Sequence, residues 1–249
     1  MKTREIFDNY EGNLIHKWNH YFEIYDTHFE RFVGRDIVIL EIGVSQGGSI
    51  QLWKSFFGSK LKYYGIDINP KCKIFEEDNV SIFIGSQEDP EFLLSLKSKI
   101  PDLDILIDDG GHTMKQQITA FEILFDKIKN NGLYLCEDNH TSYWFDFGGG
   151  MKRKGTYMEY IKNLIDVMHL WYAGKNTFIS NYNMKEKIYA IHIYDSIVVI
   201  EKKSITQPYD VKKGQYNVGY LDDKRKEPTY KLRFLFYQFT NRLRSMFYK

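Results

Sequence analysis

Residues 37–50 read IVILEIGVSQGGSI, a short apolar run followed by a turn that is rich in glycine. A buried parallel strand has such a run, and a glycine-rich turn opens the helix that follows it in a β-α-β unit. Four more apolar runs alternate with amphipathic stretches, and a pair of β-rich runs broken at Asp195-Ser196 closes the pattern. This order predicts an α/β fold, a Rossmann-like doubly wound and mostly parallel seven-stranded sheet with a C-terminal antiparallel hairpin.

The predicted elements follow from the apolar periodicity and from helix-start and helix-stop signals such as Asp89-Pro90 and Asn131-Gly132. The predicted strands are Ile37–Gly43, Lys62–Ile68, Val80–Gly85, Leu103–Ile107 and Gly132–Cys136, with the hairpin inside Ile188–Ile200. The predicted helices are Gly48–Phe57, Asp89–Ile100, Met114–Ile128 and Tyr157–Trp171.

Length, charge, cysteine content and the lack of long apolar runs limit the partners and the location that we expect for this protein. The chain has 249 residues, enough for one α/β core, and a formal net charge of +1, so we expect no nucleic-acid partner. Cys72 and Cys136 fit no zinc-binding spacing, which favours a reduced chain. The first residues lack the apolar run of a signal peptide, and no stretch approaches transmembrane length, so the sequence predicts a cytoplasmic location.

The glycine-rich turn predicts a cofactor at the carboxyl end of the first strand, where such sheets bind ligands. A dinucleotide fingerprint needs glycine where this chain has Ser45, because the pyrophosphate approaches the backbone there. S-adenosylmethionine carries no phosphate, so Ser45 favours it over a nicotinamide cofactor. Asp67, at the end of GIDINP, is placed to accept the ribose hydroxyls. The predicted cofactor residues are Glu41, Gly43, Ser45, Gly47, Ser49, Asp67, Ser86, Gln87 and Asp108.

Carboxylates follow the fourth and fifth strands. Successive strand residues face opposite sides of a sheet, so Asp108 is assigned to the cofactor side and Asp109 to the reaction side. Neighbouring strands would bring Asp109, Glu137 and Asp138 together, where three carboxylates repel one another unless a cation is bound. Oxygen ligands favour Mg²⁺, with Mn²⁺ or Ca²⁺ next. The alternative is that these carboxylates are helix caps and solvated loop residues.

Five segments read LEIGVSQGGSIQLWKSFF, YYGIDINP, GSQEDPEFL, ILIDDGGH and EDNHTSYW, and YDSIVVIEK follows in the hairpin. Together they resemble class I S-adenosylmethionine-dependent methyltransferases, in particular the metal-dependent sugar O-methyltransferases of the macrocin and mycinamicin type. The resemblance implies that Asp109, Glu137 and Asp138 bind Mg²⁺ and that His112 is the general base. His140 is the rival base. The stretch before His20-Tyr21 reads HKW, whereas many relatives have Thr/Ser-Asp-Lys.

The implied activity is transfer of a methyl group to a sugar hydroxyl, in the biosynthesis of a surface glycan (capsule or O-antigen) or of a glycosylated natural product. The acceptor is nucleotide-linked, lipid-linked or polymeric; these options stay open. The candidates for acceptor binding or for a lid are His20, Tyr21, His140, Tyr143 and Trp144. A catechol-type small-molecule O-methyltransferase and a non-catalytic scaffold of glycan assembly that kept the fold are the alternatives.

Three parts are expected: a helical cap or lid at 1–36, the methyltransferase core at 37–202, and a loop with a tail at 203–249. The tail from 228 to 249 has five basic residues, no acidic residue and an amphipathic pattern. Basic side chains beside an apolar face suit the inner surface of a membrane, which would make the protein peripheral there. Docking on the protein's own core, or on a second subunit of a homo-oligomer, is the other interpretation.

Overall fold

A computed structural model of the protein describes residues 1–173, 181–215, 217–218 and 227–247, without the side chains of 182 and 244–247. Its seven strands form one sheet in the order β3-β2-β1-β4-β5-β7-β6. Strands β1 to β5 are parallel, while β7 is antiparallel to both β5 and β6, so the predicted architecture is confirmed. The strands are β1 (Ile37–Ile42), β2 (Leu61–Asp67), β3 (Val80–Ile84), β4 (Leu103–Asp108), β5 (Ile128–Cys136), β6 (Ile188–Ile193) and β7 (Val198–Lys202).

The fourth, fifth and sixth helices begin after residues whose side chains accept hydrogen bonds from free backbone N–H groups. Asp89 caps the fourth helix with Pro90 in its first turn, and Thr113 and Gln116 form a capping box on the fifth. The helices are α1 (Thr3–Asp8), α2 (Tyr21–Phe29), α3 (Gly48–Phe57), α4 (Pro90–Lys99), α5 (Met114–Leu124), α6 (Tyr157–Met168) and α7 (Tyr230–Phe247). These caps fix α4 and α5 directly after the strand ends that carry the candidate site.

The core lies on both faces of the sheet because successive strand residues alternate. Ile39 and Ile107 face the layer of α2 and α3, where Trp53 is fully buried. Leu40 and Leu106 face the layer of α4, α5 and α6. A strand covered on both sides reads as a continuous apolar run, which is the pattern of residues 37–40.

The predicted stop signal at Asn131-Gly132 is wrong. Helix α5 ends at Leu124, a short 3-10 turn follows, and strand β5 already begins at Ile128. Asn131 has a left-handed backbone (φ +67°) inside β5, where the register with β4 shifts. The turn-forming dipeptide therefore marks a break in a strand, since asparagine and glycine accept this conformation at low cost. Helix α6 likewise ends at Met168, before the predicted Trp171.

The two ends of the chain are only partly helical. Residues 9–20 form irregular backbone between α1 and α2, and Tyr25 and Phe29 of α2 pack on Trp53 at ring distances of 5.2 and 5.5 Å. Helix α7 exposes apolar side chains such as Leu232 (78%) and Phe236 (71%). Among the described residues, no helix has both the length and the apolar character needed to cross a bilayer.

Candidate active site

A cavity of about 470 Å³ lies at the carboxyl ends of β1, β2, β3 and β4. Its wall contains six of the predicted cofactor residues: Gly43, Ser45, Ser49, Asp67, Ser86 and Gln87. The predicted reaction residues Asp109, His112 and Asp138 line the same cavity, and residues 14–17 cover it from the N-terminal segment. One cavity therefore brings together groups from both predicted sites.

The turn after β1 is held by close backbone contacts. Gly43 has φ +96°, and a Cβ atom there would lie 2.0 Å from the carbonyl oxygen of Asp109. Ser45 also has a positive φ, and its N–H donates to Asp67 Oδ2 at 2.8 Å, while the N–H of Asn69 donates to Oδ1 at 2.8 Å. Asp67 thus shapes the turn and still has lone pairs to offer to a ligand in the cavity.

Glu41 and Gly47 do not line this cavity, in contrast to the prediction. The Glu41 carboxylate is fully buried and accepts hydrogen bonds from Ser49 Oγ (2.9 Å) and from the Tyr63 hydroxyl (2.5 Å). Burial raises the pKa of Glu41, although nearby Lys17 opposes this. Gly47 instead supplies the left-handed residue (φ +76°) that precedes α3. Glu41 therefore acts on the cavity through Ser49.

Asp108 is also buried behind the cavity wall, not on it as predicted. Gln87 Nε2 donates to its Oδ1 at 2.8 Å, and the Tyr134 hydroxyl donates to its Oδ2 at 3.0 Å. Burial raises the pKa of Asp108 to about 7. Gln87 Oε1 in turn accepts a hydrogen bond from the N–H of Gly111 at 2.9 Å, so Gln87 links the end of β3 to the end of β4. Asp108 therefore orients Gln87, which the sequence predicted at the adenine edge.

Asp109, His112 and Asp138 form the polar centre of the cavity. His112 Nε2 lies 3.4 Å from Asp138 Oδ2 and 4.0 Å from Asp109 Oδ1, and one ligand atom from each residue falls within 4.8 Å of the others. His112 and Asp138 both have left-handed backbones, with φ of +57° and +55°. Such strain in residues other than glycine is typical of functional sites.

Glu137 is not part of this group of three, although the sequence predicted it there. Its side chain is 1% exposed, its Oε1 accepts the Tyr25 hydroxyl at 2.7 Å, and its Oε2 lies 2.9 Å from Lys17 Nζ. Burial and the neighbouring charge of Asp109 raise the pKa of Glu137, while Lys17 opposes this. Glu137 and Asp138 point to different partners because the left-handed Asp138 turns the chain sharply between them.

Lys17 is the site residue that the sequence did not reveal. Its Nζ lies 2.5 Å from Asp109 Oδ2 and 2.9 Å from Glu137 Oε2, and its side chain is only 3% exposed. Burial alone would lower the pKa of Lys17, but the carboxylates of Asp109 and Glu137 raise it above the usual value, so the ammonium stays charged. The sequence does contain a hint of this role. Three clustered carboxylates require a cation, and Lys17 is the lysine of the HKW triplet before His20.

An aromatic surface consisting of Trp18, His140 and Trp144 adjoins this centre. The centre of the His140 ring lies 5.5 Å from that of Trp18 and 4.5 Å from that of Trp144, and each tryptophan residue is 49% exposed. Tyr143, also predicted for this region, is 45% exposed. The aromatic surface is linked to the polar centre through Ser196, because Ser196 Oγ hydrogen-bonds both His140 and the Tyr21 hydroxyl that donates to Asp138.

The predicted lid residues attach to the turn between β6 and β7. His20 Nε2 lies 3.0 Å from the carbonyl oxygen of Asp195. The Tyr21 hydroxyl is 2.9 Å from Ser196 Oγ and donates to Asp138 Oδ1 at 2.7 Å, and His140 Nδ1 also hydrogen-bonds Ser196 Oγ. These contacts join the start of α2 to the polar centre.

A second polar group lies at the edge of the sheet, away from the cavity residues. His192 Nε2 is 3.1 Å from Glu201, His28 Nε2 is 2.9 Å from the Tyr194 hydroxyl, and Arg31 reaches Glu201 at 3.3 Å. His28, His192 and Glu201 have ligand atoms close enough for a metal ion, but Arg31 already supplies the positive charge. The group joins α2 to β6 and β7.

The chain matches no family model. Demethylmacrocin O-methyltransferase of Streptomyces fradiae is 33% identical over 202 residues, which is 76% of this chain and 51% of the relative. Mycinamicin VI 2''-O-methyltransferase of Micromonospora griseorubida is 34% identical over 188 residues, 72% of this chain and 47% of the relative. The chain thus spans about half the length of these curated relatives.

Solved structures agree with this relationship. The MycE methyltransferase of the mycinamycin biosynthetic pathway, in complex with Mg and SAH, superimposes with a TM-score of 0.75 at 30% identity. The match covers 82% of this chain and 55% of that one. The complex of MycE with Mg, SAH and mycinamycin VI gives a TM-score of 0.74 at 30% identity, with 82% and 54% covered.

Proposed function

Because this chain belongs to the class I S-adenosylmethionine-dependent methyltransferases and is homologous to the macrocin and mycinamicin sugar O-methyltransferases, we propose that it methylates a sugar hydroxyl with the help of a divalent metal. The observation that carries the proposal is that a single cavity holds the glycine-rich turn, Asp67, and the group of Asp109, His112 and Asp138. A methyl donor and a metal-bound acceptor would therefore meet there.

S-adenosylmethionine fits the turn end of the cavity. Asp67 lies at the end of β2, where a carboxylate can accept ribose hydroxyls, and Ser86 and Gln87 follow β3 on the adenine side. The N-terminus of α3 points its free N–H groups at the same space, and Ser49 is held there by Glu41. These residues bind and orient the donor, and alignment is the main requirement for a reactive methyl sulfonium.

Asp109 and Asp138 would hold the metal. One oxygen of each carboxylate and one ring nitrogen of His112 lie within 4.8 Å of one another, and hard oxygen ligands suit Mg²⁺ first, with Mn²⁺ or Ca²⁺ next. A bound divalent cation lowers the pKa of a coordinated hydroxyl, as it does for water. Glu137 would become the third ligand only after its ion pair with Lys17 is broken.

His112 is the proposed general base. Its Nε2 faces the carboxylates, and its Nδ1 is buried without a hydrogen-bond partner among the described residues. The left-handed backbone of His112 aims the imidazole into the cavity in which the acceptor hydroxyl would lie. A base within hydrogen-bond reach of that hydroxyl removes its proton as the methyl group is transferred. His140 is the rival, but its Nδ1 is engaged by Ser196.

The aromatic surface of Trp18, His140 and Trp144 is the proposed site for the acceptor. Exposed indole faces beside a catalytic centre offer apolar area for a sugar ring, or for the larger molecule that carries it. The names of the relatives favour a glycosylated natural product as the acceptor. A nucleotide-linked, lipid-linked or polymeric surface glycan is the other class of acceptor. Tyr143, which is 45% exposed and precedes Trp144 in the chain, is a further candidate for contact with it.

Methyl transfer should be measured against a panel of acceptors: glycosylated macrolides, rhamnosylated polyketides, nucleotide sugars and a catechol. We expect turnover of a sugar acceptor, loss of turnover in EDTA and recovery with Mg²⁺. Asp138→Asn should abolish turnover while SAH affinity survives, whereas Asp67→Ala should weaken SAH binding at least tenfold, about 1.4 kcal/mol. Full activity in the chelator would refute the metal, preference for the catechol would refute the sugar acceptor, and failure to bind SAH would leave the scaffold interpretation.

A further inference from the structure

Lys17 occupies the space between two carboxylates of the candidate metal site. Its Nζ contacts Asp109 Oδ2 at 2.5 Å and Glu137 Oε2 at 2.9 Å, and lies 6.0 Å from the centre of the Tyr25 ring. The side chain is 3% exposed, although lysine is rarely buried unless it is paired. A buried ammonium of this kind is held by its two ion pairs.

Both carboxylate oxygens of Glu137 already have a partner in the protein. Oε1 accepts the Tyr25 hydroxyl at 2.7 Å, and the whole side chain is 1% exposed. Oε2 shares Lys17 Nζ with Asp109 Oδ2, so it is the Glu137 oxygen placed for a metal that both carboxylates ligate. Mg²⁺ stands about 2 Å from its oxygen ligands, so an ion joining Asp109 to Glu137 would lie in the space that Nζ fills.

We propose that Lys17 is the occupant of the cation position between Asp109 and Glu137, and that insertion of Lys17 and ligation of a divalent metal by Glu137 exclude each other. The inference rests on the proposed metal site. With Lys17 inserted, Glu137 pairs with the ammonium and His112 lies beside Asp138. With Lys17 withdrawn, Glu137 completes the ligand set with Asp109 and Asp138.

Withdrawal of Lys17 has a consequence for the cofactor cavity. Residues 14–17 line that cavity, and the backbone carbonyls of Asn13 and Leu14 approach Gly48 so closely that a Cβ atom there would lie 2.6 and 2.3 Å from them. Lys17 anchors this covering segment to the carboxylates, and Trp18 directly after it contacts His140. Metal ligation by Glu137 would therefore loosen the cover at the cofactor cavity and move Trp18.

Labelling of lysine side chains with an acylating reagent, followed by mass spectrometry of the full chain, tests the exchange. Without metal, Lys17 should be protected, because its amine is buried and charged. Saturating Mn²⁺ should increase its labelling at least tenfold, with a midpoint that equals the Mn²⁺ dissociation constant measured by electron paramagnetic resonance. Lys54 and Lys73, in surface ion pairs with Glu77 and Glu76, serve as internal controls and should not change.

The Lys17→Met variant separates the outcomes. The exchange requires that Lys17→Met bind Mn²⁺ more tightly than the wild type. Removal of one positive charge predicts the same result, so the labelling of Lys17 is what distinguishes the two explanations. Bound Mn²⁺ with Lys17 still protected would overturn the exchange and make Lys17 a permanent partner of the ligands. Mn²⁺ binding by Lys17→Met alone would show that metal does not displace Lys17 in the wild type, and would also overturn the exchange. Absence of Mn²⁺ binding in both proteins would remove the proposed metal site, and the exchange with it.

Intrinsic fluorescence supplies an independent measurement. Mn²⁺ quenches nearby indoles directly, so diamagnetic Mg²⁺ is the probe. We expect Mg²⁺ to change the emission of the wild type, and the Trp18→Phe variant to lack that change. In Lys17→Met the emission should already resemble that of the metal-loaded wild type. An Mg²⁺-dependent change that survives in Trp18→Phe would show that the signal comes from another tryptophan, and would contradict movement of the covering segment.

Discussion

Substitution of Gly43 by alanine tests the central turn of the cavity. The added Cβ would lie 2.0 Å from the carbonyl oxygen and 2.7 Å from the carbonyl carbon of Asp109. Both are backbone atoms, so no side-chain rotation relieves the contact. Gly155 has a similar backbone (φ +87°), but a Cβ there meets nothing within 4 Å, which makes Gly155→Ala the matched control.

The two substitutions share the cost of a left-handed alanine, about 1–2 kcal/mol. Gly43→Ala adds the cost of overpacking, typically about 1–3 kcal/mol. We therefore expect the free energy of unfolding to fall by about 1–2 kcal/mol for Gly155→Ala and by about 2–5 kcal/mol for Gly43→Ala. Gly43 N–H donates to Ile66 and Asp109 N–H donates to Ile42, so the shift has to spread into β1, β2 and β4.

Urea unfolding at equilibrium measures this difference, provided that the slope with denaturant is the same in all three proteins. Because the contact pushes on Asp109, Mn²⁺ binding should also weaken in Gly43→Ala and stay unchanged in Gly155→Ala. Equal destabilisation by the two substitutions would refute the close approach of the turn to Asp109. Loss of stability with undiminished Mn²⁺ binding would show that Asp109 is not displaced.

Three more predictions concern other parts of the chain. His112→Ala should lower kcat by roughly 10²- to 10⁴-fold with little change in SAH affinity; a larger loss in His140→Ala would move the base to that residue. Burial and nearby His192 lower the pKa of His28 to about 4. Between about pH 6.5 and 4, an unfolded His28 takes up a proton that the folded residue does not. The free energy of unfolding should therefore decrease as the pH is lowered through this range, by up to about 3 kcal/mol. Chemical denaturation across that range should show a flatter pH profile in His28→Gln, and equal profiles would contradict the shift. Finally, we expect the full chain to pellet with anionic liposomes and a chain ending at Glu227 to stay in solution; equal behaviour would favour docking of 228–249 on protein.

The sequence by itself determined the sheet, and it predicted the edge at which the candidate site lies. Apolar periodicity is local, so residues 37–42 and the runs after them predict strands without knowledge of their partners. The carboxyl ends of parallel strands meet at one edge, which is why Asp67, Asp109 and Asp138 line one cavity. Asp67 ends β2, Asp109 directly follows β4 and Asp138 lies two residues after β5, so their positions depend on local structure.

Only the tertiary structure decided which carboxylate faces which partner. Glu41 and Asp108 also lie at strand ends, yet burial between layers places both behind the cavity wall. The left-handed backbone of Asp138 directs its side chain away from that of Glu137. The apolar periodicity of the sequence does not predict such a backbone torsion. Lys17 reaches Asp109 across 92 residues of sequence and Glu137 across 120. Local patterns carry no information on such contacts, because they depend on how α2 and the segment before it pack on the finished sheet.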